Sequence, residues 1–300
     1  MGLQKEVWKN ELLKRFRAVG THLDGVPDYS SDVINGKIIH LADIGADPDV
    51  LVNNTSYPIA TVERTDADLP LTLNLFETVN TKVPYQSLFN LPYDKVVSIV
   101  DMHKERLMEY FLGYGTHAVA PTVHTANTPV LVTTGAVKTN LRKALTIKDL
   151  TALKKAFDDL KIPKSDRRLI LCSDHVEDLL NISPAFEKMY NVDTTEGRIG
   201  KLMGFDMYEY VDMPVYDPAV STGTKKAYGA TVLSTDAFCS IAFYTPRIFK
   251  AVGEAMQVLR EAKDDPENRQ TTVGFSLRGI VLPKKSTGEG AGIGAIRSAF

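Results

Sequence analysis

Cysteine is nearly absent from this chain: Cys172 and Cys239 are the only two in 300 residues. Both stand inside apolar runs, Leu169 to Cys172 and Phe238 to Phe243, where a cysteine is ordinarily a small core side chain. A disulfide framework or a thiolate metal site is thereby excluded. Long apolar runs are missing as well. No stretch reaches the length of a membrane span, and Met1 to Gly20 lacks the apolar core of a signal peptide. The expectation is a protein made in the cytosol, with no membrane partner. Nor is one sign of charge in excess. A formal net charge of -2 gives no overall attraction to DNA, RNA or anionic lipid, so any nucleic-acid contact must be local. What is present is ordinary: 44% hydrophobic and 24% charged residues can bury a sizeable core in one large domain or two.

Catalytic and cofactor signatures are also lacking. The histidines, His22, His40, His103, His117, His124 and His175, never fall at the i, i+4 spacing of a helical zinc site. Cys172-Ser-Asp-His175 is half a ligand set without its second half. As a nucleophile and base it fails too, because neighbours in one helical turn point in different directions. The glycines from Gly288 to Gly294 do not form a phosphate-binding loop, since only six residues remain to build the helix that must follow. They read as a flexible terminal tail. No catalytic residue, metal or cofactor is assigned.

Periodicity outlines the elements. Trp8, Leu12, Phe16 and Val19 recur at helical spacing among Lys5, Lys9, Lys14, Arg15 and Arg17, describing a basic amphipathic helix that stops at Gly20. From Asp24 to Gln86 turn residues separate short strand-like runs at 37–41, 59–62 and 69–75, a β-rich stretch that needs support from another surface. Pro92 opens a helix carrying Val96, Val100, His103, Leu107 and Tyr110 up to Gly113. Thr146 caps a second helix with Leu150, Leu153, Phe157 and Leu160 on one face, ended by Ile162-Pro163. A buried strand at 168–172 then meets a helix capped by Ser173. Further strands are expected at 205–213, 227–233, 238–244 and 272–282, with a helix at about 254–263. The fold class is α+β with a mixed sheet.

The block Asp166-Arg-Arg-Leu-Ile-Leu-Cys-Ser-Asp-His-Val-Glu-Asp-Leu-Leu180, followed by Gly197-Arg-Ile-Gly-Lys-Leu-Met-Gly-Phe-Asp-Met-Tyr208 and a strand closing at Pro214, resembles the HK97-type capsid family. The order of elements is similar over most of the chain. The resemblance implies an N-terminal arm (1–30), an extended β-hairpin loop with flanking strands (31–86) and a peripheral domain with a long spine helix (87–165, plus a strand at about 271–285). An axial domain (166–270) and a C-terminal tail (286–300) complete it. It implies a major capsid protein without enzymatic activity, self-assembling into hexamers and pentamers of an icosahedral or elongated head around double-stranded DNA. Its partners would be further copies of itself, a portal protein, the packaged DNA by non-specific contact, and separate scaffolding or decoration proteins where these exist. The site of action would be the virion, with assembly in the host cytoplasm. An encapsulin-like compartment shell is the alternative of the same fold. A soluble enzyme with an unrecognised site is the alternative of another class.

Charge is distributed unevenly. Between Leu41 and Glu77 seven acidic residues face Arg64 alone, whereas Lys138 to Arg168 is predominantly basic. Since the resemblance lays the extended loop over a neighbouring subunit, Asp47, Asp49, Asp66 and Asp68 are expected to meet Lys154, Lys155, Arg167 and Arg168 of another copy. The loop offers Asn53 and Asn54 but no lysine between Lys37 and Lys82, so the loop-lysine crosslink of some members is not expected.

Overall fold

The computed structural model describes residues 21–35, 37–43, 48–84, 95–138, 141–190, 198–217, 223–265, 267–285, 288 and 290–300. The helix expected before Gly20, and the opening of the next one at Pro92, lie outside them. In chain order the elements are strands β1 (Ile38–Asp43), β2 (Ala67–Thr72), β3 (Asn74–Glu77) and β4 (Thr81–Pro84), then helix α1 (Lys95–Val119) and strand β5 (Val130–Val132). Helix α2 (Ile147–Asp159), strand β6 (Arg167–Leu171), and helices α3 (Ser173–Ile182) and α4 (Pro184–Tyr190) follow. The remainder is β7 (Arg198–Leu202), β8 (Phe205–Glu209), β9 (Val215–Asp217), β10 (Thr224–Lys225), β11 (Ala237–Tyr244), β12 (Ile248–Arg260), β13 (Gln270–Pro283) and β14 (Ile293–Arg297).

Two larger sheets organise these elements. In an eight-stranded mixed sheet, β11 lies antiparallel to β14 on one side and to β6 and β9 on the other, while β6 runs parallel to β8 and β14 parallel to β5. Helix α2 buries Leu150, Leu153 and Phe157 against this sheet, where they join Leu169, Leu171, Phe205 and Ile296 in one core cluster. Its start is a reciprocal capping box. The Thr146 hydroxyl accepts the Asp149 amide, and the Asp149 carboxylate accepts the Thr146 amide. At α3 the cap position falls on Cys172, one residue before the expected Ser173, and no side chain caps that helix end.

The second sheet is four-stranded and built on β13, which pairs with β12 along one edge and with β3 and β4 along the other. Helix α1 lies across it, burying Val100 and Leu107 with Phe76, Val273, Phe275 and Leu277. The helix does not stop at Gly113 but runs on to Val119. Glycine serves close approach there. A Cβ at Gly113 would come within 2.2 Å of the Asp212 carboxylate and 2.6 Å of the Tyr228 hydroxyl, and one at Gly115 within 3.0 Å of Val281. Residues 227–233, expected as a strand, form instead the turn that carries Tyr228 onto this helix, where its ring meets Tyr110, Tyr114 and His117.

Two further expectations are corrected. The helix at about 254–263 is the outer half of β12. Its residues are strong helix formers, but pairing with β13 over most of its length overrides propensity, and a bulge between Val252 and Ala255 hides the alternation. The flexible tail at 286–300 is replaced by β14, a wholly buried strand pinned between β11 and β5. Gly294 is small for packing, since a Cβ there would sit 2.8 Å from the Phe157 ring. The chain end is held as well: the Ala299 amide donates to the Thr133 hydroxyl at 3.0 Å, and the Ala299 carbonyl accepts the Lys143 amide at 2.7 Å. Strand β5 and helix α2 belong with the eight-stranded sheet, and β12 belongs with the four-stranded one.

Residues 21–32 strap the two sheets together. The His22 Nε2 lies 2.8 Å from the Thr116 hydroxyl of α1, and its carbonyl accepts Arg168 Nη1 of β6 at 3.0 Å. Further along, the Tyr29 amide donates to the Lys250 carbonyl, and the Lys250 amide to the Pro27 carbonyl, on β12.

Candidate assembly surfaces

The extended loop is the most exposed part of the described chain. Strands β1 and β2 form a two-stranded hairpin, paired from Ile38 with Thr72 to Asp43 with Ala67. Its base is fixed by Ile39 and Leu73, which pack on Phe249, Ala251 and Ile280 of the four-stranded sheet. Beyond the base, residues 48–66 form no strand, so the strand-like run at 59–62 is not one. Val50 is 87% exposed, Val52 81%, Tyr57 77% and Val62 92%. Such a concentration of bare apolar side chains on a loop marks a surface that is covered by something else. Sequence reasoning singled out the acids here and passed over these residues, although valines at 50, 52 and 62 were visible in it.

The acids proposed for contact are placed as follows. Asp49 is exposed. Asp66 accepts Arg64 Nη2 at 2.6 Å, and Asp68 lies 2.8 Å from His40 Nδ1, both on the solvent side. Asp47 lies outside the described residues. Among the basic partners, Lys155 is exposed on α2, and Lys154 pairs with Asp158 at 2.7 Å one turn on. Arg168 is half-buried, bonded to the His22 carbonyl with its guanidinium over the Tyr208 ring. Among the described residues no ion pair joins the loop acids to Lys154 or Lys155 within one chain.

Arg167 is corrected outright, since it is only 1% exposed and turned into its own subunit. Its guanidinium bonds Asp158 at 2.8 Å, the Pro163 carbonyl at 2.8 Å and the Ile162 carbonyl at 2.5 Å, beside the rings of Phe157 and Phe205. Hydrogen bonds from Lys154 and from Arg167 hold the Asp158 carboxyl down at about 2.

The polar interior is structural in form. His175 is fully buried, with Nδ1 2.7 Å from the Ser240 hydroxyl and Nε2 3.1 Å from the Ser298 hydroxyl, so a neutral ring can donate at one nitrogen and accept at the other. It ties α3 to β11 and to the chain end. Burial lowers this imidazole to about 4 and pushes the Cys172 thiol up to about 12, the reverse of an activated pair. Cys239 is buried too, its thiol also raised by burial. Thiol reagents should therefore label both cysteines slowly in the native protein and rapidly after denaturation; fast native labelling of either would contradict their place in the core. Among the described residues there is no cluster of three or more His, Cys, Asp or Glu side chains suited to a metal, and no helix long and apolar enough to cross a membrane.

Sequence comparison finds neither a matching family model nor a matching curated protein. Solved structures give a different result. The mature capsid of bacteriophage PhiM1 is similar over 93% of this chain and 87% of its own, with a TM-score of 0.64 at 11% identity. The capsid of cyanophage P-SCSP1u matches over 90% and 85%, with a TM-score of 0.61 at 14% identity. The head structure of Helicobacter pylori bacteriophage KHP40 matches over 93% and 90%, with a TM-score of 0.61 at 10% identity. The fold is therefore that of the HK97-type phage capsid proteins, in keeping with the α+β class and the resemblance carried by residues 166–214.

Proposed function

We propose that this chain is the major capsid protein of a tailed double-stranded-DNA bacteriophage and builds the shell of its head as hexamers and pentamers. The observation that carries the reading is the fold likeness to phage capsids over about nine-tenths of the chain. The bare apolar loop agrees with it, because a second copy of the chain is the simplest cover for such a surface. On this reading the four-stranded sheet with α1 is the peripheral domain, the eight-stranded sheet is the axial domain at the capsomer centre, and the loop reaches a neighbour. The chain acts in the virion after assembly in the host cytoplasm, without catalysis. Its further partners are a portal protein, any scaffolding or decoration proteins, and packaged DNA held without sequence preference. The purified protein should sediment as large uniform particles rather than as the 33.1 kDa subunit. Enzyme cargo in place of nuclease-resistant DNA within particles from infected cells would favour the encapsulin-like alternative.

Inter-subunit charge pairing is retained in reduced form: Asp47, Asp49, Asp66 and Asp68 of one copy against Lys154, Lys155 and Arg168 of another. Each exposed pair contributes only about 0 to 1 kcal/mol, so the effect comes from repetition around the shell. Reversing Asp66 and Asp68 to Lys should lower particle yield more than subunit stability, and adding Lys154→Glu with Lys155→Glu should restore part of it. If the quadruple variant assembles no better than either double variant, this pairing is wrong. With no lysine between Lys37 and Lys82, boiled and reduced particles should run as one band near 33.1 kDa, and a ladder of multimers would contradict the absence of a loop crosslink.

A further inference from the structure

Strand β12 is an edge of the four-stranded sheet, and only the first half of its open side is covered. The strap covers it: the Tyr29 amide and the Pro27 carbonyl bond Lys250, and the Ser30 hydroxyl accepts the Val252 amide at 2.9 Å. Past the bulge, among the described residues, no strand pairs with Ala255 to Arg260 on the side away from β13. The backbone there points outward. Phe275, opposite Gln257, spends its amide and its carbonyl on Thr78 at its far side. The two therefore form a non-hydrogen-bonded pair, and the Gln257 amide and carbonyl face the open edge. By alternation those of Ala255 and Leu259 do the same. Such a row of donors and acceptors is a template for another strand. Val258 and Leu259 beside it are 53% and 44% exposed.

We propose that this edge pairs antiparallel with the same edge of a second copy, about a two-fold axis at Gln257. In that register the sequence is its own complement. Glu254 faces Arg260 of the second copy at both ends, Ala255 faces Leu259, and Met256 faces Val258, each pair on one face of the joined sheet. Glu254 is exposed, and the Arg260 side chain is 58% exposed although it holds Asp265 at 3.4 Å. At the centre Gln257 meets Gln257. Its Oε1 is buried without a hydrogen-bond partner in the subunit. Rotation about the last side-chain bond turns that oxygen to the edge, where two opposed amides can donate and accept reciprocally. Neighbouring registers lose the match: an axis at Met256 sets Glu254 against Val258, and one at Val258 sets Arg260 against Met256. Two copies complete the contact, so it does not rest on the shell reading.

Disulfide trapping tests the register, because only a residue on the axis meets its own counterpart. In a Gln257→Cys chain the two Cα atoms would stand about 5.5 Å apart, within disulfide range. In Glu254→Cys they would be six residues, about 20 Å, apart. The native Cys172 and Cys239 are buried. Mild oxidation of the full-length protein should give a dimer band for Gln257→Cys, removed by reductant, and none for Glu254→Cys. Adding Leu259→Pro to Gln257→Cys should abolish the dimer and leave the circular dichroism unchanged, since an edge strand tolerates proline where the amide points outward. Adding Glu254→Arg instead should cut the dimer yield several-fold, and Arg260→Glu on top of it should restore the yield. No dimer from folded Gln257→Cys, an equal dimer from Glu254→Cys, a full dimer from the folded proline variant, or a yield indifferent to the charge reversal and its repair would each overturn the pairing. Particle formation is scored separately by microscopy, so particles without this crosslink would contradict the pairing and leave the shell reading standing.

Discussion

Asp178→Ala should destabilise the subunit by about 3–5 kcal/mol, a large part of the 5–15 kcal/mol that holds a typical domain together. The Asp178 side chain is fully buried on α3 and takes both Arg142 Nη1 at 2.6 Å and Nη2 at 3.1 Å. It also takes Lys138 Nζ at 2.6 Å and the Leu145 amide at 2.8 Å. Burial alone would raise this carboxyl, but the hydrogen bonds from Arg142, Lys138 and Leu145 outweigh it and hold the group below its ordinary value. Removing the carboxylate takes the bidentate partner from Arg142, itself only 4% exposed, and leaves it the more distant Asp174 carboxylate at 3.6 Å and the Asp174 carbonyl at 3.4 Å. The segment leading into α2 would then lose its fastening to α3. Replacing both partners by apolar residues should recover part of the loss, because the main penalty is a buried charge deprived of its closest counter-charge. Urea unfolding of unassembled subunits measures this, and a loss of under about 1 kcal/mol for Asp178→Ala would contradict the account.

Acid should weaken the subunit through His175 and His22. Burial is the first cause in both cases, aided by the positive charge of Arg142 near His175 and of Arg168 near His22, and each imidazole is lowered from 6.5 to about 4. In the unfolded chain these rings take up protons as the pH falls through 6.5; in the folded subunit they do so only near 4. The unfolded state therefore binds more protons in that window, and stability present above pH 6.5 is lost progressively down to pH 4. The loss approaches about 3 kcal/mol for each ring as an upper figure. Asp158 belongs to a lower window: held at about 2, it contributes stability that is lost only as the pH falls from its ordinary 3.8 toward 2. His175→Gln should flatten the upper window, the loss that remains coming from His22 and from His103 and His117, which burial also lowers. Equal wild-type stabilities at pH 7 and pH 4.5 would show that the rings are not buried as described.

Where the sequence could be read, one local signal and the tertiary environment agreed. At α2 the cap at Thr146, the stripe of Leu150, Leu153 and Phe157 and the stop at Pro163 all point the same way, and the eight-stranded sheet buries that stripe. Strand β12 was illegible because its bulge breaks the two-residue period while Ala255, Met256, Gln257 and Leu259 favour helix. The glycines around β14 signal flexibility when read alone; only the ring of Phe157, far away in sequence, shows why Gly294 must be small. Charge misled in the same way. Arg167 and Arg168 look alike as neighbours, yet alternation along β6 turns Arg167 inward to Asp158 and Arg168 toward the strap at His22. The acidic loop was visible as composition, whereas its apolar exposure depends on the hairpin holding it away from the body.

The most direct test of the shell reading is electron microscopy of the purified full-length protein under assembly conditions. Closed polyhedral particles of uniform size, whose reconstructed shell places the 48–66 loop of each copy against a neighbour, are the predicted result. A protein that stays monomeric or dimeric in every field, with that loop still bare, would contradict it.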